Sequence, residues 1–283
     1  MRASPSEVTV VTVAANSGEA LLRWRDAWVP TGCGLLAADN GSSDGMPERA
    51  GVPLVRTGGN RGFGAGVNAA AEACSTGLIL ITNPDTLPAN PGSVSELLAF
   101  HREGTLSGAA LVDEAGNPTP SGGRWPSIPW VAAQVLLRAR PLWEPDRVEW
   151  IQGALILAER DLFLKGLQGF HPDFPLYFED VDLCARARSA RVGVGFCPHA
   201  RFTHIQGTGA PSAPAVRLGC FHWGLWRWFV RHRPGKAPLA RRLILLKCAV
   251  RSALRKRGSP EREGYAIARS SVMSGVAPVL PPL

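Results

Sequence analysis

The sequence of 283 residues predicts an α/β fold, with a doubly wound and mostly parallel sheet followed by a basic helical appendage. Three observations support this prediction. Short apolar runs alternate with amphipathic stretches through the first half, which is the pattern of buried strands with helices on both faces. Polar and glycine-rich clusters follow several of these runs. Beyond Gly209 the composition becomes basic and rich in tryptophan.

The elements can be assigned in chain order. The first four predicted strands are VTVVTVA at Val8, GLLAADN at Gly34, VPLVRT at Val52 and LILIT at Leu78. Between them, EALLRWRDAWV and GVNAAAEAC have helical spacing. GAALVDEAGNP predicts a strand and a turn, and WIQGALILAE and VGVGFCPHARFTHI predict the strands that complete a mixed sheet. The stretch 118–145, rich in proline and tryptophan, predicts a long surface loop with a short helix.

Composition limits the classes of function. The apolar fraction of 45% is that of a folded protein, and the net charge of +8 is unevenly distributed. Residues 211–283 hold 14 Lys and Arg against 2 Asp and Glu, whereas residues 1–210 hold 17 against 21. The six cysteines include no CxxC pair and no histidine at zinc spacing, so we expect no metal cluster of that kind.

The beginning of the chain lacks the pattern of a signal peptide, and no window reaches the roughly 18 apolar residues that a spanning helix needs. We therefore expect a cytoplasmic protein with reduced thiols, peripheral on the inner face of the plasma membrane.

The appendage is the reason to expect contact with a membrane. A basic amphipathic helix is predicted from about Leu243 to Leu254. An aromatic cluster precedes it and consists of Trp223, Trp226, Trp228 and Phe229. This composition is typical of a segment that lies on an anionic membrane surface. The alternatives are aromatic residues that pack the appendage onto the α/β domain and, less favoured, a nucleic-acid-binding surface.

Polar residues follow two of the predicted strands, and ligands of such sheets bind at the carboxyl ends of the strands. The second strand ends in DNGSSDG, where the carboxylate of Asp39 can accept the imide N–H of a uracil or thymine ring. A plain Asx turn is the alternative. The fourth strand runs into NPDT, where Asp85 suits Mg²⁺ or Mn²⁺. A turn or helix cap is the alternative there.

A glycine-rich segment, GGNRGFGAGVNAA, lies between these two clusters. Its Gly64, Gly66 and Ala69 match the GxGxxA spacing of a dinucleotide fingerprint, with Asp85 about 20 residues further on. That fingerprint belongs in the first strand-to-helix turn of a sheet, whereas this segment follows the third predicted strand. A nicotinamide site is therefore disfavoured.

Three carboxylates occupy four consecutive positions in YFEDVDLCARAR, namely Glu179, Asp180 and Asp182. They begin a helix predicted from about Glu179 to Arg191, where the peptide dipoles favour anions. Because like charges repel, we expect one of the three to have a raised pKa. Asp182 is predicted to cap the helix or to pair with Arg186. The alternative for the trio is an ordinary charged helix start.

Together these segments resemble the inverting glycosyltransferases of family 2, which have the GT-A fold. The similarity is close to the branch with bacterial rhamnosyltransferases and galactofuranosyltransferases. The matching segments run in the family's order over residues 7–208: an asparagine after the first strand, DNGSSDG, NRGFGAGVNAA, NPDT, WIQGALIL, GF, YFEDVDLCARAR and a late histidine. One departure is LQGFHPDF, with His171 and Pro172 where family members usually have acids. It puts the acceptor-facing loop in question.

The resemblance implies a role for each matching residue. Asp180 matches the catalytic base of the ED motif, and Glu179 is expected to act beside it in catalysis or in acceptor binding, together with Trp150. Asp85 matches the metal-binding position, with His204 as a further ligand or, alternatively, a structural histidine. The residues expected to line the nucleotide are Asn16 (the asparagine after Ala15), Asp39, Asn40, Ser42, Asn60, Gly62, Phe63, Asn68 and Asn83.

We therefore predict an inverting glycosyltransferase of cell-envelope polysaccharide synthesis. It would move a sugar, with L-rhamnose as the first expectation, from a dTDP- or UDP-linked donor to a hydroxyl of a glycan or lipid-linked saccharide. A divalent cation, Mg²⁺ or Mn²⁺, would assist. Hexose and galactofuranose donors stay open.

Residues 1–209 would form the catalytic GT-A domain and residues 210–283 the appendage. The alternative functions are a nucleotidyltransferase and a catalytically inactive nucleotide-sugar-binding protein. The first of these would need a basic phosphate-binding loop near the N-terminus, which AANSGEALLRWRD lacks.

Overall fold

The computed structural model describes residues 3–136, 148–205 and 213–283. Within these ranges a mixed sheet has eight strands in the order β3-β2-β1-β4-β9-β6-β10-β5, and β7 pairs with β8 in a separate ribbon. The strands are β1 (Val8–Ala14), β2 (Gly34–Asp39), β3 (Leu54–Arg56), β4 (Leu78–Thr82), β5 (Thr86–Pro88), β6 (Thr105–Val112), β7 (Gly122–Gly123), β8 (Trp150–Ile151), β9 (Leu155–Glu159) and β10 (Gly193–His204).

The strand directions confirm the predicted mixed sheet, which is parallel in one half of the strand order and contains antiparallel pairs in the other half. The first half is parallel, because β1 pairs with β2 and β4, and β2 pairs with β3, in that sense. In the second half β9 runs antiparallel to its neighbours β4 and β6, whereas β6 and β10 are parallel. The edge strand β5 is antiparallel to β10.

Helices cover both faces of the sheet, as the sequence predicts. On one face α1 and α4 bury Trp24 and Leu97, and on the other α3 and α6 bury Val67 and Leu183. The helices are α1 (Glu19–Trp28), α2 (Met46–Ala50), α3 (Phe63–Ala73), α4 (Ser93–Phe100), α5 (Ile128–Leu136), α6 (Glu179–Ser189), α7 (Pro214–His232), α8 (Ala237–Ala253) and α9 (Pro260–Ser274).

The structure changes three predicted elements. WIQGALILAE is not one strand, because Gly153 interrupts it and donates its amide to the carboxylate of Asp180 (2.8 Å). Helix α6 ends at Ser189 and not near Arg191, which has a left-handed φ of 61°. The basic helix α8 begins at Ala237, earlier than predicted. The predicted short helix of the 118–145 stretch is α5, and residues 137–147 of that stretch lie outside the described residues.

The appendage helices α7, α8 and α9 share an apolar core with α5 and α6. Trp223, Trp228 and Phe229 are buried, and Trp226 is half-buried. The expectation that this aromatic cluster lies on a membrane is therefore wrong for the three buried residues, because their apolar surface is already covered by protein. The predicted boundary between residues 209 and 210 falls outside the described residues. Across the described ranges, no helix is both long and apolar enough to cross a bilayer.

A buried carboxylate connects α6 to the appendage. The side chain of Asp182 is 0% exposed and accepts hydrogen bonds from Arg186 Nε (2.7 Å), Arg231 Nε (3.0 Å) and His232 Nε2 (2.8 Å). The predicted pairing of Asp182 with Arg186 is thus confirmed. Burial alone would raise the pKa of Asp182, but the His232 hydrogen bond and the two arginine charges lower it to about 2.

The turn before α6 is strained and is held by the appendage. Tyr177 and Phe178 both have left-handed backbones, with φ of 66° and 71°, which is unusual for aromatic residues. The ring of Phe221 on α7 contacts both aromatic rings. A Cβ at Gly224 would lie only 2.9 Å from Tyr177 O and from Phe178 Cδ2, so glycine permits α7 to approach this closely.

We predict that Asp182→Asn lowers the free energy of unfolding at pH 7 by about 3 kcal/mol, because it leaves the half-buried guanidinium groups of Arg186 and Arg231 without their anion. The native pKa of Asp182 lies below its ordinary value of 3.8. The stabilisation that the Asp182 carboxylate provides is therefore present above about pH 4 and is lost as the pH falls through about 2. Urea denaturation at several pH values measures both effects.

Asp161→Asn is the control for this prediction, because Asp161 is 61% exposed in its ion pair with Lys165 and should contribute little. Equal stability of the Asp182 and Asp161 variants at pH 7 would contradict the importance of the buried carboxylate.

We predict that Gly224→Ala lowers the free energy of unfolding by about 1–3 kcal/mol, because the added methyl group overpacks the contact with Tyr177 and Phe178. Alanine in a helix would otherwise add about 1 kcal/mol of stability, so the sign of the change is diagnostic. Gly235→Ala is the matched control, since a Cβ there meets nothing within 4 Å. A Gly224 variant as stable as the control would refute the close contact.

Candidate active site

A cavity of about 850 Å³ opens where the carboxyl ends of three parallel strands approach the start of α6. Val13 of β1, Asn40 after β2 and Asn83 after β4 contribute from the sheet. The predicted site residues that line the cavity are Asn40, Asn60, Gly62, Phe63, Asn83, Asp85, Trp150, Glu179, Asp180 and His204. The tertiary structure thus brings together side chains that are up to about 160 positions apart in the sequence.

Four predicted site residues are not among those that line this cavity, namely Asn16, Asp39, Ser42 and Asn68. Asn16 and Ser42 hold the loop after β2. The side-chain oxygen of Asn16 accepts hydrogen bonds from the amides of Ser43 (2.7 Å) and Asp44 (3.3 Å), and Ser42 Oγ accepts one from the Asn16 amide (3.1 Å). Their contacts therefore shape the loop, and a nucleotide contact stays a prediction.

Asp39 ends β2 and is only 2% exposed. Its carboxylate accepts a hydrogen bond from the amide of Ser42 (2.8 Å) and pairs with Arg56 (3.1 Å). The first contact closes the turn after β2, as the alternative reading expected, but it spans three residues and not the two of an Asx turn. The second holds a cation beside the acid, so the predicted nucleobase contact would have to be made alongside Arg56.

Asn68 lies on α3 and binds the backbone of Phe170 at both polar atoms. It accepts from the Phe170 amide (2.8 Å) and donates to the Phe170 carbonyl (2.9 Å). These bonds fix the GF segment that precedes α6. Both ends of the side-chain amide contact the protein, which gives Asn68 a structural role, and its nucleotide contact stays a prediction.

The loop before α3 is tightly packed against the segment that leads to α6. Gly62 has a φ of 87°, and a Cβ there would lie 2.0 Å from the carbonyl oxygen of Pro175. Asn40 Nδ2 donates to Gly62 O (2.9 Å), which ties the loop to the end of β2. Only glycine fits this position, and the neighbouring Asn60 and Phe63 are thereby held on the cavity wall.

Asp85 and His204 face each other across the pair of edge strands. Asp85 Oδ1 lies 3.3 Å from His204 Nε2, and both side chains are buried. Asn83 Nδ2 is 3.4 Å from the same histidine nitrogen. The described residues include no group of three or more His, Cys, Asp or Glu that could hold a metal ion. The side chains of Asp85 and His204 still fit Mg²⁺ or Mn²⁺, because such a cation typically takes its remaining ligands from phosphates and water.

Asp180 is held in place from two sides at the beginning of α6. Its Oδ2 accepts the Gly153 amide (2.8 Å) and its Oδ1 accepts the Val181 amide (2.8 Å). Burial raises the pKa of Asp180 and the amides lower it in part, with a net direction upward. A fixed, cavity-lining carboxylate with a raised pKa can accept a proton from a bound hydroxyl.

Glu179 lies beside Asp180 and has a different environment. It is 6% exposed, and its Oε2 has no hydrogen-bond partner within the described chain. Burial, followed by the neighbouring charge of Asp180, raises the pKa of Glu179 well above its ordinary value. The expectation of a raised pKa in this trio is confirmed, and burial rather than repulsion is the larger cause.

Several cavity residues were missed by sequence reasoning, and all of those named here except Gln152, which lies in WIQGALIL, come from segments without a motif. The missed residues include Arg124, Trp130, Gln152, Arg217, Phe221, Leu280 and Leu283. Arg217 and Phe221 lie on α7, which was assigned to the appendage and not to the site. No local signal could have placed them, because only the packing of α7 against the start of α6 brings them to the cavity.

The chain was compared with known proteins. No protein-family model matches it. It is 30% identical over 266 residues to the N-acetylglucosaminyl-diphospho-decaprenol L-rhamnosyltransferase of Mycobacterium tuberculosis, covering 81% of this chain and 85% of the relative. It is 25% identical over 188 residues to a low-salt glycan biosynthesis hexosyltransferase of Haloferax volcanii, covering 61% of this chain and 59% of the relative.

Solved structures show the same fold at low identity. A mannosyltransferase from Pyrobaculum calidifontis, in complex with GDP-Man and Mn²⁺, has a TM-score of 0.54 at 15% identity, covering 97% of this chain and 78% of that chain. TarS 1–349 of S. aureus has a TM-score of 0.52 at 12% identity, covering 95% and 91%. The chain therefore belongs to the family 2 glycosyltransferases of the GT-A fold, on their rhamnosyltransferase-like branch.

Proposed function

We propose that this glycosyltransferase transfers L-rhamnose, with inversion, from a nucleoside diphosphate donor to a lipid-linked saccharide. The observation that carries the proposal is the fixed carboxylate of Asp180 in the same cavity as Asp85 and His204. The choice of sugar and acceptor is supported by the M. tuberculosis relative, whose name gives both. The first donor to test is dTDP-L-rhamnose, and UDP-linked sugars are the second.

In the proposed reaction an acceptor hydroxyl attacks the anomeric carbon of the donor. The new carbon–oxygen bond forms on the face opposite the diphosphate, whose bond to the sugar breaks, and the hydroxyl proton passes to Asp180. The amides of Gly153 and Val181 hold the carboxylate in one orientation for this transfer. Glu179 lies at the same wall and would form a hydrogen bond with a hydroxyl of the acceptor sugar. The indole N–H of Trp150 donates to the carbonyl oxygen of Arg124 (2.9 Å), so Trp150 would contact the sugar through its ring.

Asp85 and His204 would hold the divalent cation. When bound, the cation would stabilise the negative charge that develops on the departing diphosphate. Asn83 lies beside His204 at the same wall of the cavity. Asn40, Asn60, Gly62 and Phe63 would line the nucleotide at the neighbouring wall, with Asp39 and Arg56 near the base.

The other two functions fit the site less well. A nucleotidyltransferase would need basic residues at the first strand-to-helix loop, but the arginines that line the cavity are Arg124 and Arg217, which come from remote segments. An inactive binding protein would not need a carboxylate as fixed as that of Asp180, which is buried and accepts hydrogen bonds from two amides.

We further propose that the protein works at the inner face of the plasma membrane, where a lipid-linked acceptor would be embedded. The appendage residues 211–283, with 14 Lys and Arg against 2 Asp and Glu, would attract an anionic membrane surface.

We predict that Asp180→Asn lowers sugar transfer by about 10²–10⁴-fold, because the amide cannot accept the hydroxyl proton. The dissociation constant of the donor should change less than about twofold, because the substitution preserves shape. Initial rates with dTDP-L-rhamnose and a lipid-linked acceptor, together with calorimetry, measure the two quantities. Asp113→Asn, in the exposed turn after β6, is the control and should keep wild-type rates. Retained transfer by the Asp180 variant would overturn the assignment.

We predict that Asp85→Asn weakens Mn²⁺-dependent binding of dTDP by at least about 10–100-fold, since even outer-shell changes at metal sites typically have that effect. Calorimetric titration of dTDP with and without Mn²⁺ measures the difference. Binding in the presence of EDTA should be the same for variant and wild type. If Mn²⁺ strengthens dTDP binding equally in both proteins, Asp85 does not hold the cation.

A further inference from the structure

The residues after α9 form an apolar segment, Gly275–Leu283, with the sequence GVAPVLPPL. It contains no charged or hydrogen-bonding side chain. Val276 is 64% exposed and Val279 is 85% exposed, although the helices before the segment are strongly basic. Single exposed apolar residues are ordinary, but a continuous apolar segment with two such residues suggests that an apolar partner covers it.

The apolar segment leaves the appendage and returns to the cavity. Gly275 has a left-handed φ of 76° and ends α9, and three prolines stiffen the chain that follows. Asn60 Nδ2 donates a hydrogen bond to the carbonyl oxygen of Pro281 (2.8 Å). Leu280 and Leu283 line the same cavity as Asp180.

The cavity therefore combines three kinds of chemistry on its walls. Glu179 and Asp180 can bind and deprotonate a sugar hydroxyl. Arg217 of α7 supplies a positive charge and makes no ion pair with any carboxylate in the described ranges. Leu280 and Leu283 supply an apolar surface, which Trp130, Leu176 and Phe221 enlarge. A sugar joined through a diphosphate to a hydrocarbon chain needs all three.

We propose that Leu280 and Leu283 bind the hydrocarbon chain of the lipid-linked acceptor, and that Val276 and Val279 extend this surface outward from the cavity. The inference rests on the proposed function, because it assumes an acceptor of that class. The exposed and the cavity-lining parts of the apolar segment are continuous, so they fit a hydrocarbon chain that runs from the cavity outward. A nucleotide-sugar donor is polar along its whole length and gains little from two leucine side chains.

The chemical consequence is a preference for acceptors with a long chain. Each methylene that leaves water contributes roughly a fourfold gain in affinity. An asparagine in place of Leu280 or Leu283 removes this gain and places a polar amide against the chain, without adding a charge that would repel the diphosphate. The loss should appear only when the acceptor carries a chain long enough to reach the apolar segment.

The test uses the full chain, without donor, and two acceptors with the same head group. One is N-acetylglucosaminyl diphosphate with a farnesyl chain, and the other has a methyl group in its place. Calorimetry measures their dissociation constants for the wild type, Leu280→Asn, Leu283→Asn and the control Val29→Asn. Val29 is 58% exposed on the turn after α1 and does not line the cavity.

We expect the wild type and the Val29 control to bind the farnesyl compound more tightly than the methyl compound. Each leucine variant should weaken farnesyl binding by about tenfold and leave methyl binding unchanged. Thermal unfolding of the variants checks that they remain folded. An equal loss for both compounds, or no loss for either, overturns the inference.

A titration with dTDP tests whether the apolar segment instead blocks the donor. If the leucine variants bind dTDP more tightly than the wild type does, the apolar segment competes with the donor and the inference is wrong. Because the acceptor-binding test needs no sugar transfer, its outcome is independent of the proposed reaction. Chain-dependent binding without transfer from any nucleotide sugar would refute the proposed reaction and leave the chain-binding surface in place.

Discussion

The burial of Asp182 among cations is the interaction on which the catalytic end of this molecule depends. Three carboxylates begin α6, and all three are removed from water. Such a turn is stable only if each carboxylate is paired with a cation, accepts hydrogen bonds or takes up a proton, because burying an unpaired carboxylate costs free energy. Arg231 balances the charge of Asp182 from the appendage and Arg186 does so from the same helix, while His232 of the appendage donates a hydrogen bond to the carboxylate. The appendage therefore helps to hold the candidate active site in place.

The same turn of helix gives its carboxylates different properties, because each faces a different environment. Asp182 faces cations, and its pKa falls to about 2. Glu179 faces the cavity with an oxygen that no described group satisfies, and its pKa rises. Asp180 is between these cases, since two backbone amides stabilise its charge while burial opposes it. One acid thus fixes the helix, and the other two are available for chemistry at the cavity wall.

The sequence alone determined the α/β fold, the order of the site segments and the family. Strands that are buried on both faces must be apolar runs, and ligand-binding residues must follow them, so the relevant residues lie next to elements that can be recognised locally. Asp85 could be located in this way because it follows β4, whereas Asp180 was located by the acidic cluster that begins α6 and by the family resemblance. Composition also marked the appendage as basic, but composition carries no information about which aromatic side chains are covered.

Only the tertiary structure decided what each polar residue contacts. Asn68 matches a nucleotide-binding segment but engages both polar atoms with Phe170, a residue about 100 positions later. The hydrogen bond between Asn60 and Pro281 joins segments separated by 221 positions. Contacts between residues so far apart in the sequence depend on how the helices pack and not on local spacing. No local sequence pattern therefore predicts them. The sequence determined the chemical groups and their order, whereas the strand order of the sheet and the packing of α7 to α9 determined which of them share the cavity.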